Sequence, residues 1–410
     1  MRNRSAFQRV QAIFNGYKWR ISDFAWRRYS HVLHLFRLLR ADPTLRTEHG
    51  PRFLELQSLL TEFLVQRIEG DKDAKAIVGQ ILNVLRKCDE ITYEEEGTAE
   101  AYALLHFLDR FHRFQLIFDQ LHAARLMPVR GVKHVDILDV GTGPGPSMFA
   151  ISDFFRKHLP KSLESSSSNR FHKDHRFSID YVERSSQFRN WLHHFTEFVN
   201  YHSPSGRSWQ VPFHHGTFWD FEALEFNRPE QTWSYDEEGD QVSSTRVKRH
   251  RFEVVVFSNF LTTKDQARAY ARQIENCAKY LRNNGILIVV GAKASSPKYR
   301  AVYEEISKIV LSGRYGNRRL LASCELVDLK TPVMSYSWAD SYGTRLKQLI
   351  STVHASLQAK LGEALPAEVD DLLKNAMRPE YSKPIEWELL VFRKRARPRH
   401  PPSTRLAGHS

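Results

Sequence analysis

Cysteine is scarce in this chain of 410 residues, which holds three, at positions 88, 277 and 324, with no C-x-x-C pair. Residues so far apart argue against a structural zinc or iron–sulfur site and suggest a reducing compartment. No apolar run approaches the ~20 residues of a membrane span, and the start of the chain lacks the uninterrupted apolar core of a signal peptide. A cytoplasmic location is therefore expected. The Arg-rich, acid-poor start also fits a mitochondrial transit peptide and makes the matrix the alternative. Acid is missing from the last twenty residues, which carry six Lys/Arg. Residues 1–50 hold ten Lys/Arg against three acids, and the 340 residues between these ends carry 44 charges of each sign. The net charge of +13 thus sits entirely on the two ends. With 41% hydrophobic and 12% aromatic residues, the chain can build substantial cores, and a wholly disordered chain is excluded.

The first ~128 residues read as an all-helical domain of four or five packed helices. Phe24, His31, Val32, Leu35, Phe36 and Leu39 mix with a basic stripe. Leu54 to Leu64 and Ile77 to Leu85 repeat at helical spacing, and Ala99 to Leu126 is long, aromatic and free of Gly and Pro. From residue 129 to 395 the pattern becomes α/β. Strands are expected at Val135–Val140, Phe177–Val182, Trp209–His214, Phe252–Ser258, Gly285–Val290, within Leu320–Val333 and at Ile385–Phe392. Thr263 and Gln266 form a capping box for the helix that Asn284-Gly285 is expected to end. Polar inserts at 161–176 and 229–251 read as mobile loops, 342–377 as a helical insert, and 396–410 as a basic disordered tail.

The most informative stretch is HVDILDVGTGPGPSMFAI, residues 134–151. An apolar strand carrying Asp139 runs into Gly141, Thr142, Gly143, Pro144 and Gly145. Pro146 and Ser147 then open a helix, at positions where the missing proline N–H costs nothing. Glycines there let the backbone approach a ligand and adopt dihedrals that a Cβ forbids, and the helix start offers free N–H groups. A nucleotide-type cofactor site of a doubly wound sheet is implied. The dinucleotide fingerprint would need Gly or Ala at position 146, which is proline.

The form Asp139-x-Gly141-x-Gly143-x-Gly145 instead resembles motif I of the class I S-adenosylmethionine-dependent methyltransferases. That resemblance implies a Rossmann-like sheet of seven strands ending in an antiparallel hairpin, with S-adenosyl-L-methionine as cofactor. It further implies that Glu183, closing FSIDYVE, binds the ribose hydroxyls, 44 residues after Asp139 because of the serine-rich insert. Where the family places an acid near the adenine amine this chain has Thr217, with Asp220 three residues on. Ser258 and Asn259, ending FEVVVFSN, fall where motif IV faces the methyl group. They do not form the D/N-P-P-Y/F signature of amino methyltransferases acting on adenine and cytosine, nor is there a histidine matching the plant-type O-methyltransferases. The helical start, DVGTGPG and VVVFSNFLT are also similar to the ribosomal small-subunit methyltransferase-like family, whose cysteine cluster this chain lacks. The histidine pairs His193-His194 and His214-His215, and His172 near His175, do not make a metal set, since neighbours point apart on strand or helix.

The expected activity is in-line methyl transfer, with no residue standing out as a general base. The acceptor reading that the basic ends and their aromatics (Trp19, Trp26, Tyr29) favour is RNA or a nucleic-acid-associated substrate. A small-molecule methyltransferase, or a binding or assembly protein retaining the fold, are the alternatives.

Overall fold

The computed structural model describes residues 50–87, 92–129, 132, 134–159, 177–202, 220–235, 241–292, 297–312, 314–315, 318–319, 324–327, 333–336, 341–375 and 385–395. The basic helical pattern around residues 24–39, the insert 161–176, the expected strand 209–214, Thr217 and the tail 396–410 lie outside these.

Strand β1 (Val135–Val140) pairs in parallel with β2 (Phe177–Val182) on one side and β5 (Phe252–Ser258) on the other. Beyond β5 comes β6 (Leu281–Ala292), also parallel. The final strand β11 (Ile385–Lys394) is antiparallel to β6, and carries β10 (Val333–Tyr336) and the short β9 (Cys324–Leu326) on its far edge. The order is β10-β11-β6-β5-β1-β2. Two ribbons stand apart from this sheet: β3 (Asn227–Tyr235) with β4 (Gln241–Arg249), and β7 (Arg314–Tyr315) with β8 (Arg318–Arg319).

Both faces of the sheet are covered, which is why its strands read as apolar runs rather than as alternating ones. Period-two geometry divides each run between two cores. Ile137, Val254, Val256, Ile286 and Ile288 belong to one, Leu138, Val140, Val255, Phe257 and Leu287 to the other. The second core is closed by α7 (Lys264–Ala269), α8 (Ala271–Lys279) and α9 (Pro297–Ser312) through Ala267, Ile274, Cys277, Val302 and Ile306.

The first core is larger and runs without a break from the sheet into the N-terminal helices. α1 (Gly50–Glu69) and α2 (Asp71–Lys87) are followed by α3 (Thr98–Tyr102), a π-helical stretch (Ala103–Phe107) and α4 (Leu108–Ala123). They pack on α5 (Pro146–His158) and α6 (Ser186–His202), which flank β2, and on α10 (Ser341–Leu361) from the insert before β11. Phe53, Phe107, Phe111, Phe114, Phe118, Phe149 and Phe195 are fully buried there. At about 1.5–3 kcal/mol for each buried aromatic or large aliphatic side chain, this contact holds the helices firmly on the sheet. α11 (Ala367–Asn375) is tied to α10 by His354 Nε2 and Asp370 Oδ1, 2.7 Å apart.

Four expectations are corrected. The segment 229–251, read as a loop, contributes most of the β3–β4 ribbon; such a ribbon satisfies its backbone by mutual pairing and needs no apolar pattern. Asn284-Gly285 does not end a helix. α8 stops at Lys279, and β6 begins at Leu281 and absorbs residues 282–285 as an irregularity between the pairs Phe252↔Leu281 and Val254↔Ile286. The single strand expected within 320–333 is two, β9 and β10, the latter extending past the expected limit to Tyr336. β11 runs two residues past Phe392.

Candidate cofactor site

Register puts the carboxyl ends of four parallel strands side by side: Val140 pairs with Val182 and Phe257, and Ser258 with Val290. Whatever follows them in the chain shares one edge, the place where ligands bind in open α/β sheets. Gly141, Glu183 and Asn259 follow three of them, and Gly291 lies in the last two residues of β6. All four line a cavity of about 250 Å³ there.

The β1–α5 turn is shaped by three glycines with left-handed backbones, φ +71° at Gly141, +58° at Gly143 and +94° at Gly145. A Cβ at Gly141 would lie 2.7 Å from Phe260, and one at Gly145 2.4 Å from Leu192, so both positions are closed by packing as well as by φ. At Gly143 nothing lies within 4 Å of the added atom. Its bare Cα faces open cavity. The loop is fastened to β2 by Gly141 N–H donating to Val182 O at 2.9 Å. Pro146 opens α5 with Gly145 at the cap.

Asp139 does not reach the cavity. It is fully buried, accepts Ser147 Oγ–H on Oδ2 at 2.5 Å, and its Oδ1 has no hydrogen-bond partner among the described residues. Thr142, also buried, donates its hydroxyl to Asp139 O at 3.1 Å. Burial pushes the Asp139 carboxyl up to about 7, against the pull of the Ser147 and Thr142 hydroxyls. Its place is behind the turn, where it fixes α5 against β1.

Glu183 follows β2 directly and lines the cavity. Gly143 N–H donates to Oε2 at 2.6 Å and Ser185 N–H to Oε1 at 2.8 Å. Burial raises this carboxyl too to about 7, opposed by those two N–H donors. The carboxylate therefore clasps the glycine turn to the end of β2. Each oxygen retains further lone-pair capacity for a ligand hydroxyl.

Across the cavity, Ser258 and Asn259 follow β5. Asn259 has φ +48°, donates its N–H to Val290 O at 2.8 Å, and buries Nδ2 without a hydrogen-bond partner among the described residues. A buried unpaired amide donor costs about 1–3 kcal/mol, so this one is set for a ligand acceptor. Thr217 is outside the described residues. Asp220 lines the cavity beside Phe221, which packs edge-on against Phe257, Phe260 and Tyr270. Tyr270 is raised above its usual value by burial, then by Asp220 and Glu222.

Of the sequence-derived residues, Gly141, Gly143, Glu183, Ser258 and Asn259 line one cavity, while Asp139, Thr142 and Gly145 support it. Sequence reading missed Tyr93, Tyr102 and Arg110, which the helical region contributes to the cavity lining. The aromatic richness of residues 99–126 was visible, but no spacing rule links it to a turn some forty residues later. Of the histidine pairs, only His193-His194 is described, on α6; among the described residues no group of three His, Cys, Asp or Glu side chains is placed to hold a metal ion.

No family model and no curated protein matches the chain. Solved structures do. A S-adenosylmethionine-dependent methyltransferase from Geobacter sulfurreducens, in complex with S-adenosyl-L-homocysteine, is 14% identical, with a TM-score of 0.34 over 69% of this chain and 91% of that one. Magnesium protoporphyrin IX methyltransferase from Synechocystis, with bound S-adenosylmethionine, is 10% identical at a TM-score of 0.32 (72% and 93%). The [4+2]-cyclase SpnF is 12% identical at 0.35 (78% and 93%). Likeness at that level carries no argument by itself. More telling is the strand order, with antiparallel β11 inserted between β6 and β10 at the end of an otherwise parallel sheet. That antiparallel end is the one that the resemblance of the glycine turn to motif I implies. In that frame the glycine turn follows the first strand, Glu183 closes the second, and Asn259 follows the strand on the other side of β1.

Proposed function

We propose that this protein binds S-adenosyl-L-methionine and transfers its methyl group. The observation that carries the reading is the turn at Gly143. A left-handed glycine with open space where a Cβ would stand is clasped by a buried carboxylate, and it shares its cavity with Asn259, whose amide donor has no partner among the described residues. The donors suit the cofactor. Glu183 offers acceptor capacity to ribose hydroxyls, Asn259 Nδ2 offers a donor, and the rings of Phe221 and Phe260 offer apolar faces to adenine. When bound, the sulfonium supplies an activated methyl group. The protein's part is to align an acceptor with it and keep water out.

For the acceptor we propose RNA or a nucleic-acid-associated substrate, on the strength of a net charge of +13 confined to the two ends. The aromatic wall of Tyr93 and Tyr102 supports a second reading, in which a small acceptor enters the cavity from the side of the helical region.

Calorimetry on the purified protein tests the cofactor. Heat on titration with S-adenosyl-L-homocysteine, none with NAD, and loss of that heat in Gly143→Val are expected. Binding of NAD alone would end the assignment.

A further inference from the structure

The two edges of the sheet differ in charge and in use. The carboxyl ends of the parallel strands open on the cavity; their amino ends, one strand length or about 20 Å away, gather cations. Antiparallel β11 ends at this second edge, where Arg393 pairs with Ile286 and Lys394 with Cys324 of β9. α8 ends there too, since its last carbonyls accept from Lys394 Nζ. Arg251 precedes β5, Arg282 lies at the start of β6, and both are exposed.

The acids of this edge are already matched. Asp136 and Glu253 share Arg282, at 3.0 and 2.9 Å. Glu325 faces Arg395 at 3.3 Å, and Glu275 interacts with Lys279 one turn on. Arg251 forms no ion pair among the described residues.

Further cations arrive with the β7–β8 hairpin. α9 starts beside the cavity, which Tyr299 and Tyr303 line, and its 16 residues carry the chain about 24 Å to the far edge. The hairpin begins two residues after Ser312 and ends five before Cys324, so it belongs to that edge. Its register sets Arg314 opposite Arg319 and Tyr315 opposite Arg318. Like charges directly opposite one another weaken a ladder, and a ladder two residues long has little pairing to offset them. An anion removes the conflict, because a phosphate accepts hydrogen bonds from two guanidinium groups at once. Tyr315, in the same ladder, adds the aromatic residue that single strands use for stacking and a lipid surface does not.

Building on the nucleic-acid reading above, we propose that Arg251 and the arginines of the β7–β8 hairpin hold the phosphates of single-stranded RNA, on the edge opposite the cofactor cavity. The anchoring surface is then distinct from the place of methyl transfer. RNA and cofactor bind without excluding each other. Beyond Arg395 the sequence adds Arg397, Arg399 and Arg405 and no acid, which extends the positive charge from the same edge.

Fluorescence anisotropy of a labelled oligouridylate with the full chain tests this. Arg314→Gln, Arg318→Gln and Arg319→Gln together are expected to weaken RNA at low salt roughly ten- to a hundredfold, and to flatten the slope of log K against log salt by up to about 2 units. Arg251→Gln should flatten it by up to ~0.7. Lysine at the three hairpin positions keeps the charge and should keep the slope. By calorimetry all these variants should bind S-adenosyl-L-homocysteine as wild type does, and saturation with it should leave the RNA affinity unchanged. An unaltered slope in the glutamine variant, or RNA displaced by S-adenosyl-L-homocysteine, would place the phosphates elsewhere and overturn the assignment, with the nucleic-acid reading intact. Wild-type protein that binds phosphatidylserine vesicles and not the oligonucleotide would sink both.

Discussion

Asp139 is a carboxyl group placed where water cannot reach it and where one oxygen has no donor among the described residues. With its folded-state value at about 7 against 3.8 in a free chain, the folded protein holds this proton over a pH range in which the unfolded chain has lost it. The stability that this contributes is complete below the unfolded value and disappears as pH rises through about 7. Asp139→Asn is neutral at every pH and keeps an oxygen for the Ser147 hydroxyl. The wild type should therefore lose stability relative to Asp139→Asn as pH rises from about 4 to about 7, with no further loss above that. Parallel melting-temperature curves for the two proteins would show that Asp139 is ionised throughout. Glu183, raised to the same region, differs because its two backbone donors stand ready for the charged form.

Among the elements, β6 shows how a local irregularity is built from two residues. Asn284 takes φ +64°, one of four non-glycine residues in the left-handed region among those described. Gly285, next to it, has room for no side chain: a Cβ would lie 2.9 Å from Arg282 O and 3.0 Å from Glu253 O. Backbone oxygens of two strands cannot move aside as a flexible side chain would. Gly285→Ala is expected to cost about 1–3 kcal/mol, the usual range for overpacking, measured by urea unfolding. A variant as stable as wild type would mean that the irregularity relaxes freely. The same dipeptide misled the sequence reading, since Asn-Gly after a helical pattern is an ordinary helix end. What it makes here is a strand irregularity, because residue 281 is already paired with Phe252. The capping box, by contrast, stands as expected, because it depends only on residues three apart: Thr263 Oγ1 accepts Gln266 N–H at 3.2 Å, and Gln266 Oε1 accepts Thr263 N–H at 3.3 Å.

For the molecule as a whole, the division of charge matters more than its sum. The body is neutral, and three of the six basic residues at its C-terminal end have structural work, beginning with Arg393, whose Nη2 donates to Asn284 Oδ1 at 3.2 Å. Lys394 Nζ donates to Ala278 O at 3.0 Å and Lys279 O at 2.9 Å, capping α8, and Arg395 lies 3.3 Å from Glu325. A truncation that tests nucleic-acid binding should spare all three. Removing residues 396–410 takes away Arg397, Arg399 and Arg405. At ~0.7 per phosphate contact on a single strand, the slope of log K against log salt should flatten by up to about 2 units. Binding of S-adenosyl-L-homocysteine should not change. An unchanged slope, or no RNA affinity at low salt, would favour the small-acceptor reading.

The chain alone determined strands β1, β2 and β5 to the residue, the glycine turn, the capping box and the candidate carboxylate at position 183. Each depends on neighbours within a few residues: an apolar run of strand length, glycines where φ is positive, a cap three residues from its partner. Tertiary structure decided what depends on distance. It turned Asp139 inward and set Glu183 on the turn forty residues earlier through Gly143 N–H. It also laid the aromatic helix on the sheet, so that Tyr102 and Arg110 face a cavity that its sequence does not announce. Apolar periodicity tells a helix which face to bury. It does not tell which strand ends that face will meet, because burial is non-directional and the meeting is settled only when the two cores close.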